Sequence, residues 1–166
     1  MTDPERRAGQ ALQKDSGKVA APGVVDTNVL VYAANSGAAE QEVARRMLQA
    51  AAADPAPWYL TEGIVYEFLR VSTHPRVMKS PLRAGQALSF VERLLAVDAF
   101  RLLRAGPRHW ELLADLAASV HGAAGSLFFD LRTAVLMREH GVRRIYTADK
   151  DFSRFEGIDP INPFVV

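Results

Sequence analysis

With 166 residues, 49% hydrophobic and 23% charged, the chain has the size and composition of one soluble globular domain with a real core. A net charge of +1 gives no global argument for nucleic acid, so any such case must rest on local arrangement. No run of about 18 apolar residues suggests a membrane span, and zero Cys excludes disulfides and thiolate metal sites.

Residues 1–22 hold Arg6, Arg7, Lys14 and Lys18 against Asp3, Glu5 and Asp15, with few large apolar side chains. They read as a disordered tail, which leaves a domain over 23–166. The tail has no apolar core of a secretory signal, and the lack of Cys fits a reducing cytosol, so a cytoplasmic location is expected.

The domain opens on Gly23-Val24-Val25-Asp26-Thr27-Asn28-Val29-Leu30. Val24-Val25 reads as a short strand buried on both faces, and Asn28 as the cap of a helix beginning at Val29. Asp26 then sits at the carboxyl end of a first strand, where open α/β sheets bind ligands. A carboxylate between two apolar runs needs a partner: either a cation, or the helix that follows.

A helix is expected over 38–53, with Val43, Met47 and Leu48 on one face, and it stops at Asp54-Pro55. Trp58-Tyr59-Leu60 is strand-like. Thr61 caps a helix to about Thr73, with Ile64, Phe68 and Val71 at core spacing. Glu67 lies beside that stripe, as a surface Glu or as something more. Residues 74–81 form a loop, and Ser80-Pro81 has the chemistry to start a helix reaching about Ala96. Between Phe68 and Val91 stand Arg70, Arg76, Lys79 and Arg83 with no acid, either a phosphate-contacting rim or a solvated face.

Further along, a strand is expected over 99–103 and a helix over 109–121 with Trp110, Leu113, Leu116 and Val120 inward. The next helix spans 127–140 and closes at Gly141. Asp130 lies in its first turn, a place the helix dipole favours for any acid. A strand over 143–147 leads into Asp149-Lys150-Asp151, and residues 158–164 give a last edge piece marked by Pro160 and Pro163. Alternation of strands and helices predicts an α/β fold: three layers, with a mostly parallel central sheet. Asp26, Glu67, Asp130 and Asp149 can then meet at its carboxyl edge. Four carboxylates need compensating charge, and an oxygen-rich site selects a hard cation, Mg²⁺ or Mn²⁺.

Four segments in order carry a resemblance: Val25-Asp26-Thr27-Asn28-Val29; Val65-Tyr66-Glu67-Phe68-Leu69-Arg70; Gly125-Ser126-Leu127-Phe128-Phe129-Asp130; and Tyr146-Thr147-Ala148-Asp149-Lys150-Asp151. Together they resemble the motifs of PIN-domain ribonucleases, most closely the VapC-type toxins of toxin–antitoxin modules. The resemblance implies metal-dependent hydrolysis of RNA phosphodiesters, with Asp26, Glu67, Asp130 and Asp149 as metal-binding and catalytic acids. It makes Asn28 and Thr147 orienting residues and leaves Asp151 as a rival for the fourth position. Leu131-Arg132 depart from the small residues more usual after the third acid. Arg70, Arg76, Lys79 and Lys150 are the candidates for holding RNA.

The resemblance also implies a cognate antitoxin and a two-fold homodimer. Apolar helices around Val43-Met47 and Leu88-Val91-Leu95 either form a groove for a partner helix or pack on the sheet. Two other enzyme classes lack their signatures. A haloacid-dehalogenase-type phosphatase wants an Asp where Asn28 stands, and a Rossmann dehydrogenase wants a Gly-rich turn after the first strand. A purely binding PIN module would be expected to have lost acids that this chain keeps.

Overall fold

The structure is a computed structural model and describes residues 21–165. The expected tail over 1–22 lies almost wholly outside the described residues. Five strands, β1 (Val24–Val25), β2 (Trp58–Thr61), β3 (Phe100–Leu103), β4 (Arg144–Tyr146) and β5 (Asp159–Ile161), form one sheet in the order β3-β2-β1-β4-β5. Every pairing is parallel, with Val24 beside both Tyr59 and Ile145, Leu60 beside Leu102, and Ile145 beside Pro160. The helices are α1 (Thr27–Ala34), α2 (Gln41–Ala52), α3 (Glu62–Ser72), α4 (Ala84–Leu95), α5 (His109–Ser119) and α6 (Leu127–Glu139). A 3₁₀ turn, Asp151–Arg154, precedes β5. This is the expected three-layer α/β/α architecture, with a sheet that is parallel throughout.

Strands covered on both faces need no alternation, and β1 accordingly places both of its valines in the core. Trp58, Leu60 and Ile145 join them, and α6 adds Leu131, Ala134, Val135 and Met137. Helix α6 ends on Gly141 at φ 68°, where Val142 N–H donates to Met137 O (2.8 Å) and Gly141 N–H to Arg138 O (3.2 Å). That pair of bonds closes the helix through a left-handed residue, the reason for Gly at this position. Helix α3 begins as predicted: Thr61 Oγ1 accepts the Ile64 N–H at 3.1 Å.

Several expectations are corrected. Helix α1 is capped by Asp26 and begins at Thr27, so Asn28 lies inside it and is free for other bonds. Helix α2 starts at Gln41, not 38, and α5 ends at Ser119. Ser80-Pro81 does not start α4. Leu82 N–H donates to Ser72 O at 2.8 Å, which holds that stretch against the end of α3, and the helix begins at Ala84. Trp110 is 76% exposed rather than inward, because α5 buries its His109 and Leu116 side. Among the described residues no helix is long and apolar enough to cross a membrane.

Candidate active site

Strand β1 lies between β2 and β4, at the point where the strand order reverses, so its end is the natural crevice of this sheet. Asp26 is the first residue beyond it. Its backbone N–H donates to Tyr146 O (3.1 Å), which ties the ends of β1 and β4 together. Its carboxylate is buried and satisfied from several directions. Oδ1 accepts the Thr27 N–H (2.8 Å), while Oδ2 accepts the Asn28 amide (2.8 Å) and the Thr147 hydroxyl (2.6 Å). The two sequence readings of Asp26 are therefore compatible: it caps α1 and also faces the cleft.

Thr147 organises the turn after β4. Its Oγ1 accepts the Asp149 N–H (2.9 Å) and an Asn28 amide N–H (3.0 Å), and Asn28 Oδ1 accepts the Ala148 N–H (3.1 Å). Asp149 Oδ1 in turn accepts the Asp151 N–H at 2.8 Å. Backbone and side chains of the two strand ends thus form one hydrogen-bonded unit.

Helices bring the other acids. Glu67 projects from α3, where Oε2 accepts the Thr27 hydroxyl (3.0 Å) and Oε1 pairs with Arg70 (3.3 Å). Asp130 projects from the first turn of α6. Asp130, Asp149 and Asp151 each present a carboxylate oxygen within 4.8 Å of the other two. Asp26, Glu67, Asp130, Asp149 and Asp151 all line one cleft of about 900 Å³.

This crowding shows in the acidities. Burial raises the Asp26 carboxyl to about 6, opposed by the Thr147 and Thr27 hydrogen bonds and reinforced by Glu67 and Asp149. Asp130 rises to about 7, first through burial and then through Asp149, Asp26, Glu67 and Asp151. Every influence on Asp130 acts in one direction, as expected of an acid among acids with no donor of its own. Among the described residues the cations paired with site acids are Arg70 and, on Asp151, Arg154 at 3.5 Å. An all-oxygen donor set with unmet negative charge fits a hard divalent cation and not a thiolate- or imidazole-seeking one.

The predicted cations divide. Arg70 lines the cleft, whereas Arg76, Lys79 and Lys150 are not part of its lining. Sequence reasoning missed several residues that are, four of them bearing on the site acids or the cleft mouth. Thr27 holds Glu67. Arg132 pairs with Glu62 at 3.7 Å, and a Cβ on Gly63 would meet its Nη1 at 3.2 Å. Tyr66 and Phe129 stand at the same cleft. The one available signal was adjacency, since each ring immediately precedes a site acid and Arg132 follows Asp130 by two positions. The Leu131-Arg132 departure leaves Asp130 in place: Leu131 packs in the core and Arg132 turns to the cleft.

The PIN domain family model matches residues 23–158. Ribonuclease VapC48 of Mycobacterium tuberculosis is 30% identical over 139 residues, covering 84% of this chain and 95% of the relative. Ribonuclease VapC43 of the same species is 36% identical over 131 residues, covering 79% and 88%. Among solved structures, M. tuberculosis VapC20, described as a sarcin–ricin loop cleaving toxin, superposes with a TM-score of 0.59 at 22% identity, over 82% of this chain and 98% of that one. VapBC2 from Rickettsia felis, bound to a DNA fragment from its promoter, gives a TM-score of 0.61 at 15% identity, over 84% and 96%. These two likenesses are of fold. With a parallel sheet of this order, acids from separate segments in one cleft, and the family match across nearly all the described residues, the chain belongs to the PIN domain family, among its VapC ribonucleases.

Proposed function

We propose that the acidic cleft is the catalytic site of a metal-dependent endoribonuclease, the toxin of a toxin–antitoxin pair. Asp26, Glu67, Asp130 and Asp149 are its metal-binding acids. The observation that carries this is the convergence of these carboxylates from β1, α3, α6 and the turn after β4 on one cleft. Burial, reinforced by the neighbouring acids, makes Asp26 and Asp130 weaker acids, and the cluster is left short of positive charge. Asp26, Asp130 and Asp149 would hold the cation, with Glu67 closing the set from α3. The hardness of the donors selects Mg²⁺, with Mn²⁺ as a substitute.

A divalent cation bound here supplies an acidified water and offsets the charge that develops on the scissile phosphate. The chain's own residues supply order. Thr147 and Asn28 fix the carboxylate of Asp26, Thr27 fixes Glu67, and Arg70 and Arg132 stand ready for the flanking phosphates. The Asp149 carboxylate steadies the turn by accepting the Asp151 N–H, and the Asp151 carboxylate stands beside those of Asp130 and Asp149.

A VapC ribonuclease active in its own cell needs restraint, so the partner is an antitoxin. Met47 and Val91 pack in the core, which removes them from the expected groove. What remains is a cleft of about 750 Å³ lined from α1, α2 and α4, with apolar Ala33, Ala34, Leu82 and Phe90 and basic Arg45, Arg83 and Arg93. That shape suits an amphipathic helix with acidic flanks. A two-fold homodimer belongs to the same reading.

The test is cleavage of mixed RNAs with Mg²⁺, Mn²⁺ or chelator, by the native chain and Asp26→Asn, together with growth of cells expressing the chain alone or with its neighbouring gene. Metal-dependent cleavage and Asp26-dependent arrest, cured by the neighbour, are expected. Equal cleavage by Asp26→Asn would overturn the site. Harmless expression of an active enzyme would remove the toxin role and leave the nuclease.

A further inference from the structure

Two of the most exposed large hydrophobic side chains among the described residues stand at the catalytic cleft. Tyr66 is 72% exposed and Phe129 71% exposed, and both line it. Each occupies the helical position just before a site acid, Tyr66 before Glu67 on α3 and Phe129 before Asp130 on α6. Successive helical residues are turned about 100° from one another, so when the acid points into a cleft its predecessor stands at the lip. Helices α3 and α6 pack together, which brings the two lips to one opening.

Large rings in water forgo the stabilisation that burial of an aromatic side chain gives. Neither ring stacks on another aromatic among the described residues; the packed pairs lie elsewhere, as in Phe68–Phe90 and Trp58–Tyr146. The cleft of about 900 Å³ is far larger than a hydrated cation needs, so its apolar walls serve something else. What surrounds the rings identifies it. Carboxylates suited to phosphodiester chemistry lie one residue away, and Arg70 and Arg132 offer positive charge in the same cleft. Acids for a phosphate, guanidiniums for its neighbours and π-faces beside them are the components of a single-strand channel.

We propose that Tyr66 and Phe129 are stacking platforms that position the RNA bases flanking the scissile phosphate. The proposal rests on the ribonuclease reading of the acids and adds two substrate-positioning residues to it. Stacking takes any base, so the rings position RNA without reading its sequence.

The experiment uses the full chain carrying Asp26→Asn to measure binding of single-stranded and duplex RNA, and the otherwise native chain to measure cleavage. Tyr66→Ala and Phe129→Ala should each weaken single-strand binding by about 5- to 150-fold, the range that loss of one base–aromatic stack gives. Tyr66→Phe and Phe129→Tyr should restore it. Mn²⁺ affinity, read by calorimetry, should not move. An abasic nucleotide beside the cleavage site should weaken binding to the native rings and add little to the loss in the Ala variants. Native-level RNA binding by both Ala variants overturns the proposal. So does an effect confined to self-association or to binding of the neighbouring gene's product. If the parent chain neither binds nor cleaves RNA, the nuclease reading fails and the stacking role with it; binding by the parent that the Ala variants share removes the stacking role alone.

Discussion

The Thr147 hydroxyl donates to Asp26 Oδ2 over 2.6 Å, joining residues 121 positions apart in sequence. That bond favours the charged carboxylate, against the burial that raises it. Thr147→Val should therefore push Asp26 further up, shift the acid limb of the pH–rate profile to higher pH and cut activity by about 10- to 100-fold. Loss of a buried hydrogen bond should cost about 1 kcal/mol of stability. Thr147→Ser should recover both. A pH–rate profile of Thr147→Val that overlays the native one would show the bond to be merely structural.

Asp26→Asn and Asp130→Asn should each abolish metal-dependent cleavage while keeping the fold, since the amide preserves shape and removes charge. Asp130→Asn should also stabilise the metal-free protein by roughly 1 kcal/mol, or about 2–4 °C in Tm, because it relieves repulsion among the acids. Circular dichroism melts with chelator present, compared with melts in Mg²⁺, test this. A lower metal-free Tm for Asp130→Asn would contradict it.

The raised pKa values of Asp26 and Asp130, at about 6 and about 7 against 3.8 unperturbed, fix a sign. In this window the folded chain binds more protons than the unfolded one, so stability from these groups is present below about pH 4 and is lost as pH rises through 6 and 7. The metal-free Tm should carry that falling contribution, and a divalent cation should cancel it. Metal binding near pH 6.5 should then release about one proton, measurable by calorimetry in buffers of different ionisation heat. Proton uptake would be incompatible with the proposed ligands.

Asp149 and Asp151 share the turn after β4, yet their surroundings differ. Asp149 hangs by its N–H from Thr147, while Asp151 gives an oxygen to Arg154 at 3.5 Å. Asp149→Asn should match Asp26→Asn in severity, whereas Asp151→Asn should lose only about 10- to 100-fold, as expected of a supporting partner. Single-turnover rates at saturating Mg²⁺ compare the two. A reversed order would assign the fourth position to Asp151.

Of the basic residues picked out from sequence, Arg70 reaches the cleft. Arg70→Ala should shallow the salt dependence of RNA binding by about 0.7, the single-strand value for one contact, with Arg132→Ala doing the same. The double variant of Arg76 and Lys79 should change it less. Equal slopes in all variants would make these arginines no part of the RNA path.

The strand-end acids were legible because local residue order marks them: an apolar run, a carboxylate and a cap put Asp26 at the end of a strand, and the same logic after Ile145-Tyr146 marks the turn that holds Asp149 and Asp151. Thr61 was legible as a cap because its hydroxyl has one obvious use. Asn28 misled, since Asp26 is also a cap residue and stands first. Ser80-Pro81 misled because a local signal for a helix start was overridden by the Leu82–Ser72 backbone bond. Tyr66, Phe129 and Trp110 could not be sorted from core aromatics, because periodicity gives a face but does not say whether another element covers it. Arg132 looked like a fault in a pattern and is instead a side chain of the cleft.

At the far edge of the sheet, Asp159 gives its N–H to Arg143 O (2.8 Å) and Ile161 O accepts from Thr147 N–H (2.9 Å). Both residues face β4, so the residue between them turns its backbone outward, and that residue is Pro160. It has no N–H to give. Among the described residues β5 has no neighbour on its outer side, yet the edge lacks the donor that would seed a continuing ladder. The sheet is thereby capped against open-ended growth, and the folded chain makes a poor template for amyloid-like stacking on that side.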